Sequence, residues 1–143
     1  MHGSLEMTAE LISGISRSVL EMASLSEQRE LAYDILVCPP AVYLQHAVSA
    51  AQSQPVAIGA QNVNAHDSGA YTGEIALPML AELGCDYVLL GHSERRELFL
   101  ETDVQIADKF AACVAEPQRI TPVLCVGETL SLIHISEPTR HRR

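Results

Sequence analysis

The 143-residue sequence has little of what marks several broad classes of protein. No apolar run approaches the roughly 18 residues needed to cross a bilayer, so no membrane span and no membrane partner are expected. The opening, Met1-His2-Gly3-Ser4-Leu5-Glu6, lacks a basic segment followed by an apolar one, and no signal peptide is expected. The cysteines, Cys38, Cys85, Cys113 and Cys125, are scattered, with no Cys-x-x-Cys pair or Cys/His cluster to suggest a metal site. Free thiols fit a reducing compartment, so a cytoplasmic location is expected. No Gly-x-Gly-x-x-Gly or P-loop motif is present, which removes the usual nucleotide readings. Positive charge is scarce: nine Lys and Arg against 18 Asp and Glu give a net charge of −9. That balance argues against a nucleic-acid partner, which needs a clustered basic face. The one basic cluster, Arg140, His141, Arg142 and Arg143, lies at the end of the sequence.

What is present is a globular composition, 48% hydrophobic and 19% charged, in a chain long enough for one domain with a sizeable core. Leu11, Ile12, Ile15, Val19 and Met22 recur at helical spacing and predict a first helix over about Ser4 to Met22. Asp34 to Cys38 is a short apolar run without alternation, which fits a strand buried on both faces. Pro40 opens the next helix, continued by Leu44, Ala47, Val48 and Ala51. The pattern repeats with strands at Val56 to Ala60, Tyr87 to Gly91 and Val123 to Gly127. Between them lie a polar loop from Asn62 to Gly73 and a helix from Pro78 to Leu83 that stops at Gly84. A further helix has a Thr102/Gln105 capping box and an apolar face of Val104, Ala107, Phe110, Ala111 and Val114. Pro122 is tolerable at the start of the last strand. Strands of buried type alternating with helices predict an α/β protein with a parallel sheet. An open doubly wound sheet and part of a (β/α)₈ barrel both fit, and periodicity does not choose between them.

In either architecture reactive groups gather at the carboxyl ends of strands. The strand at Tyr87 runs directly into Gly91-His92-Ser93-Glu94-Arg95-Arg96, which packs an imidazole, a hydroxyl, a carboxylate and two guanidiniums together. The bland alternative is that Ser93 caps a turn, the charges are solvated, and His92 fills space. The strand at Val56 leads into Gly59-Ala60-Gln61-Asn62, and its loop closes with Tyr71-Thr72-Gly73-Glu74. There the alternative is turn chemistry, with Thr72 and Glu74 helping a helix start. Cys125 could be a nucleophile, but its apolar neighbours favour an inert buried thiol.

Taken in order and spacing, Gly59 to Asn62, Tyr71 to Glu74, Gly91 to Arg96 and Thr121 to Glu128 resemble the triosephosphate isomerase family from about Met1 to Leu130. The resemblance implies a partial (β/α)₈ TIM barrel holding parallel strands two to five of the family. It implies interconversion of dihydroxyacetone phosphate and glyceraldehyde 3-phosphate, in glycolysis and gluconeogenesis, without a cofactor. His92 would be the electrophile that hydrogen-bonds the substrate carbonyl as an enediolate forms. In this family that histidine is the standard case of an imidazole kept neutral beside a helix N-terminus. Glu94 would pair with the family's active-site lysine, and Ser93 would hold the resting catalytic glutamate. Asn62 to Glu74 resembles the loop that inserts into the partner of a homodimer. Thr72 would reach the partner's active site, and Glu74 and Arg95 would pair across the interface.

Other family parts have no counterpart in these residues. No residue is assignable to the phosphate-binding lysine of an Asn-x-Lys motif, and no Tyr-Glu-Pro carries the general base. Glu128 follows the wrong strand to be that base. The chain is therefore expected not to run the reaction alone, and a non-catalytic half-barrel that docks on other subunits is the alternative. Residues 1–130 are expected to form the partial barrel. Residues 131–143 break the family pattern and read as a foreign tail, so the terminal arginines say nothing of nucleic acid.

Overall fold

Ser4 starts the first helix, because its hydroxyl oxygen accepts from the Met7 amide at 3.0 Å and satisfies a donor that a helix start leaves unpaired. In the computed structural model, which describes residues 3–25, 34–115 and 120–127, this helix (α1) runs Leu5–Leu25, past the expected end at Met22. Its buried stripe is Thr8, Ile12, Ser16 and Val19. Of the face expected from spacing, Leu11 and Met22 are instead more than half exposed. Thr8 is tolerated inside because its hydroxyl donates to the Ser4 carbonyl at 2.8 Å.

The strand β1 is only Leu36–Val37. Pro40 does not open an α-helix directly: it caps a 3₁₀ turn, Ala41–Tyr43, which feeds α2, Leu44–Ala51. Then follow β2 (Ala57–Ala60), α3 (Leu77–Leu83), β3 (Tyr87–Leu90), α4 (Ser93–Leu98), α5 (Asp103–Ala115) and β4 (Thr121–Leu124). Gly84 ends α3 in the left-handed region at φ 86°, a conformation that costs glycine little. The helix α4 is too short to show a period, and only the family resemblance, which implies a helix N-terminus beside His92, pointed to it.

β4 lies two residues earlier than expected, with Pro122 inside it. The amides of Thr121 and Cys125 donate to Asp86 and Leu90 on the β3 side, each at 2.8 Å. Pro122 therefore faces the other way, and its missing N–H breaks no ladder bond.

The strands are all parallel and in sequential order, β1-β2-β3-β4. A doubly wound sheet reverses direction at a switch point, whereas a barrel adds strands in one direction only. Sequential order thus decides for the partial (β/α)₈ architecture. Helices cover one face: Val88 and Leu90 are buried with Leu80 and Ile106, while Tyr87 and Leu89 on the opposite face are half-buried. The expectation of strands buried on both faces holds only on the helix side.

α5 corrects the sequence reading most. Val104, Ala107, Phe110, Ala111 and Val114 are all exposed, and the buried stripe is Ile106, Lys109 and Cys113. A lysine on the inner stripe contradicts a purely apolar pattern, and it is possible because Lys109 is paired with Glu101, which is itself buried.

Candidate functional site

At the end of β3 the chain turns at Gly91, whose φ is 69°. A Cβ there would lie 2.9 Å from Arg96 Nη2 and 3.0 Å from Ile106 Cδ1, so both the backbone conformation and the space require glycine. Arg96 closes the turn by donating from Nε to the Gly91 carbonyl at 2.7 Å, and its Nη1 meets Asp103 at 2.5 Å.

His92, not Ser93, is the N-cap of α4. Its Nδ1 accepts from the Glu94 amide at 3.3 Å, which assigns the proton of the neutral ring to Nε2. The ring therefore does more than fill space: it presents an N–H donor beyond the carboxyl end of a strand. The Glu94 carboxylate is 3.9 Å from Nδ1 and mostly exposed, and Ser93 is exposed as the first residue of the helix.

The second group of residues surrounds the loop after β2. Asn62 Oδ1 accepts from Lys109 Nζ at 2.8 Å. Asn64 donates from Nδ2 to Glu74 at 2.9 Å and its amide meets the Ile75 carbonyl at 2.8 Å, so the two ends of the loop are tied together. His66 stacks on Tyr71 with ring centres 4.7 Å apart. Neither Thr72 nor Glu74 starts a helix, because α3 is capped at Ala76 without a side-chain bond. Glu74 and Arg95 line one cavity of about 360 Å³ with Asn64, Tyr71 and Phe99, while Thr72 is exposed outside it. Arg95 is occupied within its own chain: it lies over the Phe99 ring at 5.0 Å, and its Nε sits 3.4 Å from both Glu101 oxygens.

Sequence reasoning missed Glu101 and Lys109. Burial pushes the Glu101 carboxyl up, but the hydrogen bond and charge of Lys109, with the charge of Arg95, hold it below the ordinary value. The signal available was that Lys109 is the only lysine in the sequence and stands at helical spacing from Ile106 and Cys113.

Cys125 is half-buried, less enclosed than its apolar neighbours suggested. Burial pushes the Cys38 thiol up to about 11, with Cys125 and Cys85 adding to the shift, and burial likewise raises Cys85 and Cys113. Those three stay protonated at neutral pH and are poor nucleophiles. Glu128 and the basic cluster at 140–143 lie outside the described residues.

A family model described as triosephosphate isomerase matches residues 1–137. The chain belongs to the triosephosphate isomerase family. Among relatives bearing that name, one from Alcanivorax borkumensis is 49% identical over 119 residues, covering 83% of this chain and 47% of its own length. One from Dechloromonas aromatica is 46% identical over 131 residues, covering 92% and 48%, and one from Nitrosococcus oceani is 48% identical over 115 residues, covering 80% and 45%. The chain thus spans about half the length of the curated relatives it matches. Among the described residues no helix is long and apolar enough to cross a membrane, and no group of His, Cys, Asp or Glu could hold a metal.

Proposed function

We propose that this chain is the strand-two-to-five portion of a triosephosphate isomerase, acting on dihydroxyacetone phosphate and glyceraldehyde 3-phosphate in the cytoplasm, in glycolysis and gluconeogenesis. The two sugars are isomers, so a proton leaves one carbon and returns to its neighbour, and no electron acceptor is needed. The observation that carries this reading is the His92 cap. With Nδ1 engaged by the Glu94 amide, Nε2–H is left to donate to the substrate carbonyl as its oxygen gains charge. Ser93 and Glu94 are its supporting residues. The general base and the phosphate ligands come from elsewhere in the assembled barrel.

The same reading makes Asn62 to Glu74 the dimer loop of a homodimer, with Thr72 entering the partner's site and Glu74 facing the partner's Arg95. Its internal bracing supports this, since a loop already ordered loses less entropy on docking. Residues 1–130 form the barrel portion and 131–143 are a tail foreign to it.

The test is a chimera in which residues 1–127 replace the matching span of the Alcanivorax borkumensis relative. It should isomerise dihydroxyacetone phosphate, and His92→Gln should lower kcat by about 10²–10³ with KM little changed. An active chimera indifferent to His92→Gln would show that the electrophile is another residue.

A further inference from the structure

α4 carries His92 at its start, yet its own packing does not hold it there. It is six residues long and none of them is buried. A helix so short is unstable by itself, and helices in proteins are held mainly by the packing of an apolar face. The His92 side chain is 44% exposed, so burial does not clamp the ring either. Bonds that leave α4 must therefore fix it. Arg95 reaches forward, to Glu101 and over Phe99. Arg96 reaches back to the end of β3. Its Nε donates to the Gly91 carbonyl at 2.7 Å, while Nη1 meets Asp103, the first residue of α5, at 2.5 Å. Its Nη2 lies against Gly91, where a Cβ would come within 2.9 Å of it.

These bonds fall on both sides of one residue. The Gly91 carbonyl belongs to the peptide that precedes His92, and the His92 carbonyl to the peptide that follows it. The first accepts from the Arg96 side chain, and the second accepts from the Arg95 and Arg96 amides at 2.9 and 3.1 Å. A residue has only two soft backbone torsions, so fixing both flanking peptide planes fixes His92 at φ −56° and ψ 141°. With the backbone set and Nδ1 engaged by the Glu94 amide, the direction of Nε2–H follows.

We infer that Arg96 is a positioning residue for His92: its guanidinium, anchored on Asp103, holds the Gly91–His92 peptide and so aims the Nε2 donor. The consequence for catalysis rests on the proposed isomerisation; the aim of the ring does not. The fork of the guanidinium is what the geometry uses. It holds an oxygen from Nε and a carboxylate from Nη1 at once, where an ammonium offers a single nitrogen. The Asp103 side chain is 89% exposed, and an ion pair with so exposed a partner adds little stability. Its effect lies in where it holds the guanidinium.

The experiment has two arms. On the 143-residue chain, NMR-detected amide exchange compares Glu94, Arg95 and Arg96, whose N–H groups are all bonded to His92, with the amides of β3. Arg96→Met should speed the first group about tenfold while β3 is unchanged. Asp103→Ala, at an exposed site, should speed the same amides by less. Arg96→Lys keeps the charge but not the fork and should be as fast as Arg96→Met. The positioning role is overturned if Arg96→Met and Asp103→Ala both leave these amides at the wild-type rate, or if these amides and β3 accelerate by one factor. Wild-type rates in Arg96→Lys would overturn the role given to the fork. The second arm is a double-mutant cycle in the chimera with the Alcanivorax borkumensis relative. Arg96→Met should lower kcat about tenfold or more with KM little changed, and should add no further loss to His92→Gln. An equal loss of kcat in both backgrounds would show that Arg96 does not act through His92 and would overturn the proposal. If His92→Gln leaves kcat unchanged while the exchange result holds, the electrophile reading fails and the aim of the ring stands.

Discussion

Gly59 and Gly14 offer the same chemical change in opposite surroundings. A Cβ at Gly59, in the middle of β2, would lie 3.0 Å from Cys38 Sγ, 3.1 Å from Leu36 Cδ1 and 3.1 Å from Tyr87 Cβ. The first two are side-chain ends that can shift by tenths of an ångström. Tyr87 Cβ is fixed to the backbone of β3 and moves only if the strand moves. Overpacking of this kind costs about 1–3 kcal/mol. Replacing glycine with alanine also restricts the unfolded chain, which offsets about 0.5–1 kcal/mol. Gly59→Ala is therefore expected to destabilise by about 1–2 kcal/mol. A Cβ at Gly14, inside α1, meets nothing within 4 Å. Gly14→Ala should stabilise by about 0.5–1 kcal/mol, since only the backbone gain remains. Urea midpoints at unchanged slope would measure both variants beside the wild type. Midpoints that move in one direction, or a Gly59→Ala protein as stable as wild type, would refute the packing argument.

Stability should depend on Glu101 ionisation. Its folded value is lowered, so its contribution is fully present above the ordinary value of 4.5 and is lost as pH falls through the lower folded value; the gap in urea midpoint between wild type and Glu101→Gln should be widest near neutrality and close in acid. The exposed strip of Phe110 and Val114 on α5 should bind a hydrophobic dye, and Phe110→Lys/Val114→Lys should reduce the dye signal without lowering stability, because neither side chain contributes to the core. Dye binding indifferent to that double change would place the apolar surface elsewhere. The 143-residue chain assayed alone should show no isomerase activity above a buffer blank, and turnover abolished by His92→Gln would contradict this.

The placement of the residues after β3 was legible because it follows from local order. An apolar run fixes the strand, a glycine ends it, and the next side chain stands at its carboxyl end whatever the rest of the chain does. The α/β alternation was legible for the same reason. The choice between sheet and barrel was not legible from periodicity, since strand order depends on contacts far apart in sequence, and it came only with the family resemblance. α5 failed differently. Its exposed strip of Val104, Phe110 and Val114 is a better apolar stripe than Ile106, Lys109 and Cys113, and periodicity ranks stripes without knowing which faces the sheet. Only the ion pair to Glu101, eight residues away, makes the true inner stripe acceptable. α1 misled more mildly, because Thr8 and Ser16 are small enough to be buried and were read as outward.

The carboxylates near His92 show how the chemistry is divided. In the proposed reaction, a base that removes a proton from the substrate would have to stand on the side where Nε2 would meet the carbonyl. Glu94 is the nearest candidate, but it lies on the Nδ1 side of the ring, 3.9 Å from that nitrogen. Glu101 is committed to Lys109 and Arg95, and Asp103 to Arg96. Glu74 accepts from Asn64 at the loop. These four acids are thus turned away from Nε2 or held by cations and an amide. What the strand end supplies is a hydrogen-bond donor fixed in one tautomer, which in the proposed reaction would stabilise developing charge on oxygen but move no proton from carbon. The proposed isomerisation therefore needs its base from a strand whose carboxyl end opens to the same mouth of the barrel, and the order β1-β2-β3-β4 leaves such positions beside β1 and beside β4.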